Sequence, residues 1–502
     1  MGDFQRKHVS RLVPGNPRIT ATLLVLVAIV NSMTLGYDTS MLNGLNILPQ
    51  YKDYFHLNTA TTGLNTASLW IGNILGCFLI QPVPDRLGRK PAILISATIC
   101  LVGCIIQGAA QNMAMFVVAR IIIGIGSELS CGACPVLLGE TLPPARRGAI
   151  LGFFFACFYI GSLMAAGINY HMVNISTTWA WRIPSILQCL PSLLAISLLP
   201  FVPESPRWLL ANNQPEAAKE VLAVVIGVKS LDEPDFVRVF NEISMVLETE
   251  AANHPESPWK EIFTGKPNLR RLAILVSFGF MVELLGNFVA SYYLGDMLTL
   301  AGITSTTTQL QVNVILSCWA FVVAVVGSFL LDVVGRRLQA ISAIIGMIFS
   351  LYLLGGLTQK YGESQNKSGI YGTLAALFLF QGFYSISITP MTSLYPMEVL
   401  PYRIRNTGIA IFRFLNCSFG MMASFTMSFA MTNLGWKFYI VNASYNIIFL
   451  LAVYLFWVET ARLPLEEVAK RFGDSPDINF LEGVPNGMWD GVARSNLSKE
   501  LE

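Results

Sequence analysis

Apolar residues in this chain fall in long continuous runs, not at the spacing of a soluble amphipathic helix or an alternating strand. Runs of about 20 residues, the length that crosses a bilayer as a helix, recur at 20–42, 63–83, 92–110, 113–138, 148–168, 183–202, 271–298, 310–331, 338–357, 371–395, 407–432 and 436–457. The intervals are short except for one polar stretch near 203–270 and the tail. This pattern predicts an all-α membrane protein with about twelve spanning helices in two six-helix halves. The expected organisation is an N-terminal segment 1–19, a first bundle 20–202, a linker 203–270, a second bundle 271–458 and a tail 459–502. Within the linker, Gln214 to Val225 and Phe236 to Thr249 have the pattern of short amphipathic helices lying under the bundles.

Composition agrees with the membrane reading. The 502 residues are 53% hydrophobic and only 13% charged, and the mean hydropathy is +0.55, too apolar for a soluble chain of this size. The net charge of +2 points to no acidic partner, but the placement of Lys and Arg is informative. Arg6, Lys7, Arg11 and Arg18 precede the first run, and basic clusters then fall in every second loop. By the positive-inside rule both termini are cytosolic, in a multi-pass protein expected at the plasma membrane. On this topology the sequons at Asn174 and Asn366 face outside and can be glycosylated, whereas Asn496 does not.

The loop charges occur as a set, twice. Asp85-Arg86-Leu87-Gly88-Arg89-Lys90 is followed by Glu140, by Arg147 seven positions on, and by Glu204; Asp332-Val333-Val334-Gly335-Arg336-Arg337 is followed by Glu398, by Arg405 again seven on, and by Glu459. Two six-helix units on one plan are the mark of a transporter built from parallel repeats. Enzymatic and ATP-driven readings find little support: His8, His56, His171 and His254 show no metal-ligand spacing, and no Gly-rich loop ends in Lys-Ser/Thr. Cys131 and Cys134 form a CxxC without a second pair, which reads as small-residue helix packing.

Along nearly its whole length the chain resembles sugar porters of the major facilitator superfamily, in particular the fungal branch containing lactose permease-like and hexose transporters. The resemblance rests on GYDTSMLNG (36–44), PDRLGRKP (84–91), RIIIGIG (120–126), GETLPPARRG (139–148), PESPRWL (203–209), DVVGRR (332–337) and YPMEVLPYRIRNTG (395–408) in that order. It implies the major facilitator fold and a cytosolic gate in which Arg86 and Arg89 pair with Glu140 and Glu204, and Arg336 and Arg337 with Glu398 and Glu459. The alternative is a topology signal plus solvated charges. The last motif, Glu459-Thr460-Ala461-Arg462, lacks the family's usual Pro and Gly, which puts the local backbone in question.

The resemblance also places Asp38 and Arg120 at the positions of a proton-coupling pair, with the proton as coupling ion and no other cofactor. Protonation of Asp38 would release Arg120; a permanent structural pair is the alternative. Substrate positions depart from the family. The usual Gln of the seventh span is Glu283, an amide of the fifth is Phe155, the second Asn of the eighth is Ala320, and the hexose transporters' Trp in the tenth is Ser393. Arg413 lies inside the eleventh span, where an unpaired cation is costly. Glu283 and Arg413 are expected either to pair or to touch substrate. The substrate set comprises Glu283, Asn287, Tyr292, Asn313, Ser385, Thr389, Arg413 and Asn416. Together these imply a secondary transporter for a sugar or related polyhydroxy compound, with a small-molecule solute and the lipid bilayer as partners and no nucleic acid or obligate protein partner. The rivals are an exporter or facilitator of a small organic acid or other metabolite, and a nutrient sensor that binds without transport.

Overall fold

The structure is a computed structural model that describes residues 7–142, 153–228, 230–253, 258–362, 364, 366–400, 402–461 and 471–473. Arg147 and Asn496 lie outside the described residues. Among the described residues, ten helices are long and apolar enough to cross a membrane. They are α1 (Pro17–Leu45), α3 (Arg89–Gly108), α4 (Met113–Thr141), α5 (Phe153–Met172), α6 (Trp179–Phe201), α8 (Thr306–Val334), α9 (Arg336–Tyr361), α10 (Lys367–Val399), α11 (Tyr402–Leu434) and α12 (Lys437–Phe456). Two more, α2 (Thr59–Cys77) and α7 (Lys266–Leu284), complete the twelve runs read from the sequence.

The starts of these helices are written locally. Asn16, Asn58, Asn112 and Asn366 each accept a backbone N–H in the first turn of α1, α2, α4 and α10, which satisfies donors that a helix leaves open. Large apolar side chains such as Ile105, Phe329, Phe349 and Ile448 are exposed on the outer faces, as expected of surfaces that meet lipid. Between helices, small residues permit close approach. A side chain at Gly36 would collide with the Phe158 carbonyl, and one at Gly124 with the Leu69 carbonyl, so α1 meets α5 and α4 meets α2 backbone to backbone.

Two spans are interrupted where the sequence predicts continuous helix. In α6 the break falls at Gln188; Pro191 has no N–H to return to Leu187, the carbonyl one turn back. The run 271–298 divides into α7, Asn287–Ser291 and Leu294–Leu300, because Gly286 adopts φ +111° and turns the chain out of the helix. Both interruptions lie beside the polar residues described below.

The linker forms four helices, Pro206–Ala211, Pro215–Ile226, Pro234–Asn253 and Pro258–Ile262. Each begins with Pro, whose fixed φ suits the first helical position. Glu220 accepts the backbone N–H groups of Lys7, His8 and Val9 at 3.0, 2.7 and 3.0 Å. Burial pushes this carboxyl upward, but the three amide donors outweigh it and hold it below its ordinary value. Val9 and Val13 pack beside Leu209, Ala218 and Val221, so the segment before α1 is fastened to the linker.

Candidate functional site

On the face that carries the basic loops, the repeated charges form two matching clamps. In the first, Arg89 donates through Nε and Nη2 to the two oxygens of Glu140, both at 3.0 Å, and through Nη1 to the Pro84 carbonyl at 3.0 Å. In the second, Arg336 donates to Glu398 at 3.0 and 2.7 Å and to the Leu331 carbonyl at 3.1 Å. Glu204 accepts the backbone N–H groups of Arg89 and Lys90 at 3.1 and 3.0 Å; Glu459 accepts those of Arg336 and Arg337 at 2.9 and 3.0 Å. Ser205 donates to Glu140 as Thr460 donates to Glu398.

Gly88 and Gly335, at φ +105° and +96°, start α3 and α9. A Cβ on either would lie 2.6 or 2.7 Å from the capping Glu204 or Glu459 oxygen. The clamps therefore require glycine twice over, for backbone and for space. Glu459 keeps this role although the usual Pro and Gly around it are absent.

This geometry corrects the expected pairing in detail. Glu204 and Glu459 hold the helix starts at α3 and α9 by their backbone N–H groups, where the dipole favours a carboxylate, while one guanidinium per half takes Glu140 or Glu398. Arg86 is exposed on the short helix Pro82–Leu87, outside the clamp. Arg337 donates to the Tyr454 carbonyl, and Arg405 to the Leu400 carbonyl at 3.4 and 3.3 Å.

At membrane depth in the first half, Asp38 of α1 and Arg120 of α4 are fully buried neighbours. The expected carboxylate–guanidinium bridge is replaced by a different arrangement. The Gln188 side-chain amide, at the α6 break, donates to Asp38 Oδ1, and Gln107 in turn donates to Gln188 at 3.3 Å. Arg120 Nη2 reaches the Asp38 backbone carbonyl at 3.5 Å. The second Asp38 oxygen and Arg120 Nε and Nη1 are buried without a hydrogen-bond partner among the described residues. The carboxylate has turned to the closer amide donor, leaving both charges only partly satisfied.

The central cavity lies between the halves and is lined by polar and aromatic side chains from both, the character of a small-molecule site. Of the eight expected substrate residues, Glu283, Asn287, Tyr292, Asn313, Thr389, Arg413 and Asn416 line it. Ser385 stands behind the wall and bonds the Tyr159 hydroxyl at 2.8 Å. Tyr159 also meets Thr389 at 3.1 Å and receives the Gln381 amide at 3.4 Å, joining α5 to α10 across the halves. Tyr159, Gln381 and Asn73 are polar lining residues that sequence reasoning passed over.

The anticipated Glu283–Arg413 pair does not form. Arg413 instead donates through Nε and Nη2 to Glu128 of α4, at 2.7 and 2.6 Å, an ion pair across the two halves. Glu283 accepts the Asn416 amide at 2.8 Å. Asn416 lies three residues, about 4.5 Å of helical rise, beyond Arg413 along α11 and takes the place at Glu283 that the cation was expected to fill. Glu128 was missed, although an acid eight residues after Arg120 inside the same apolar run is itself a signal at membrane depth.

Cys77, Glu128 and Cys417 bring three possible metal-ligand atoms within 4.8 Å. Both Glu128 oxygens, however, face the Arg413 guanidinium, whose charge opposes a divalent cation there. The two thiols line the ion pair, and Cys131 and Cys134 are free thiols on α4. A second, largely apolar cavity lies toward the basic face; Phe155, Thr392 and Arg413 line both cavities.

A profile described as "Sugar (and other) transporter" matches residues 24–472. The chain is 28% identical to the MFS-type transporter oryC of Aspergillus oryzae, with 96% of this chain and 90% of that protein covered. It is also 28% identical to a high-affinity glucose transporter of Kluyveromyces lactis, over 89% and 84% of the two chains. The solved structure of the proton:xylose symporter XylE with 6-bromo-6-deoxy-D-glucose superposes with a TM-score of 0.75 at 23% identity, covering 91% of this chain and 99% of that one. With its duplicated clamps, its cavity between two six-helix halves and a profile match over most of its length, this chain belongs to the sugar (and other) transporter family of the major facilitator superfamily.

Proposed function

We propose that the protein is a proton-coupled importer of a neutral sugar or related polyhydroxy compound, working by alternating access in the plasma membrane with the basic face in the cytosol. The observation that carries this reading is the pairing of Arg413 with Glu128. It consumes the charge on which an organic-acid substrate would depend and leaves a cavity of amides, hydroxyls and aromatic faces with the Glu283 carboxyl among them. Such a wall suits a solute rich in hydroxyl donors and acceptors but without a carboxylate. A high-affinity glucose transporter and a probable polyol transporter among its relatives support the same substrate class.

Asp38 supplies the coupling carboxylate in this reading. It is buried beside Arg120 and anchored by Gln188, so a change in its charge alters the packing of α1, α4 and α6 together. The two clamps on the basic face close the cytosolic route when the cavity opens outward.

The test is uptake in a transporter-deficient yeast strain, with external pH recorded while sugars, polyols, sugar acids and organic acids are offered in turn. Alkalinisation accompanying accumulation of a neutral sugar or polyol is the expected result. Accumulation restricted to acids would overturn the substrate assignment, and binding without accumulation would favour a sensor.

A further inference from the structure

The ionisable side chains away from the span ends are few, and their balance is uneven. Among the described residues they are Asp38, Arg120, Glu128, Glu283 and Arg413, three carboxylates against two guanidinium groups. Arg120 stands beside Asp38, and Arg413 is taken in bidentate fashion by Glu128. Glu283 is the remaining acid. Its side chain lines the central cavity and accepts one neutral amide, with no cation within salt-bridge distance among the described residues.

The titratable groups that face it offer no compensation. Arg413 on α11 is directed to Glu128; Tyr384 on α10 donates its hydroxyl to the Val282 carbonyl at 2.8 Å; Tyr292 stands beyond the α7 break; and Tyr445 on α12 donates to the Leu284 carbonyl at 2.6 Å. An isolated carboxylate at membrane depth is expensive, and the least costly way to neutralise it is to bind a proton.

We infer that Glu283 is a second exchangeable proton site, set in the wall of the central cavity in the C-terminal half and separate from the Asp38 site in the N-terminal half. The proton is delivered to and from the cavity, and leaves Glu283 as a carboxylate still held by Asn416. This deepens the proton-coupled reading above and rests on it for its role in transport; the proton site itself can be tested without transport.

The experiment is infrared difference spectroscopy of the purified full-length protein in lipid nanodiscs, following the carbonyl band of a protonated carboxylic acid as pH is raised from mildly acidic to mildly alkaline. The parent is expected to lose two such bands. E283Q lacks one and keeps the other, and D38N does the reverse. Glutamine is the family's usual residue at this position, which makes E283Q a mild substitution. An E283Q spectrum that matches the parent's would overturn the proposal. So would a Glu283 band that persists at every pH and disappears only when glucosamine is added, since that behaviour assigns the carboxylate to a substrate ammonium group. Loss of the band on pH alone, with glucose and glucosamine equivalent, supports it. Should yeast uptake show no proton coupling while the band still titrates, the transport reading fails and the proton site stands.

Discussion

The two halves are nearly interchangeable on the basic face and quite different at membrane depth. Arg89, Glu140, Glu204 and Ser205 are repeated contact for contact by Arg336, Glu398, Glu459 and Thr460. Deeper in the bundles, the first half sets Asp38 against Gln188 and Arg120, whereas the second sets Glu283 against Asn416 and sends Arg413 across to Glu128. A rocking motion asks the same of both halves at their closing edge, so one solution serves twice. On the proposed reading, binding and coupling ask different things of each, and there the repeat has been abandoned.

The comparison is broken most severely by Asp38→Asn, which is expected to abolish accumulation against a gradient while exchange flux persists. Counterflow measured beside net uptake checks this, and equal accumulation by mutant and parent would remove Asp38 from coupling. Next comes Arg413→Met, which strands Glu128 as a buried charge and should cost about 3–5 kcal/mol. The double variant Glu128→Met/Arg413→Met should recover most of that loss in a thermal unfolding series; failure to recover would mean the two side chains are not energetically coupled.

The likeness of the clamps is sharpened by smaller changes. Gly88→Ala and Gly335→Ala should each destabilise by roughly 1–3 kcal/mol through strain at positive φ and should do so alike; a large inequality would show that only one clamp carries load. Ser205→Ala and Thr460→Ala, which each remove one hydrogen bond to a charged acceptor, should cost about 1.5–3 kcal/mol at most. The smallest effect concerns docking of the segment before α1. Because the Glu220 carboxyl is held below its ordinary value, its contribution is present above the unfolded-state value and lost as pH falls through the lowered one. Protease protection near residue 10 should weaken in acid, and Glu220→Gln should weaken it at neutral pH and remove its dependence on pH.

The sequence made the architecture legible because both of its signals are local. Twenty-residue apolar runs declare helices without reference to their neighbours, and the spacing from Gly88-Arg89 to Glu140 and Glu204 is copied in the second half, so one clamp predicts the other. The membrane core was harder to read, because each side chain there must choose among several helices. Glu283 and Arg413 looked like natural partners, being the only unusual charges noticed in their half. The actual partner of Arg413 is 285 residues away on α4, and nothing in the spacing states that α4 and α11 face each other. The breaks in α6 and α7 were likewise hidden, although Pro191 and Gly286 supplied their local causes. Tyr159 and Gln381 escaped because ordinary polar residues inside a helix acquire meaning only once the cavity is known.

The wall formed by Phe155, Thr392 and Arg413 has a further consequence for efficiency. These three side chains line both the central cavity and the apolar cavity behind it, so on the proposed proton-coupled reading the fidelity of coupling depends on very little matter. Trimming Phe155 to alanine would leave the clamps, Asp38 and the Glu128–Arg413 bond in place and yet open a path for slippage. On the proposed proton-coupled reading, the cell would then spend its proton gradient without gaining solute, and that waste would register as a falling yield of solute per proton before any loss of binding.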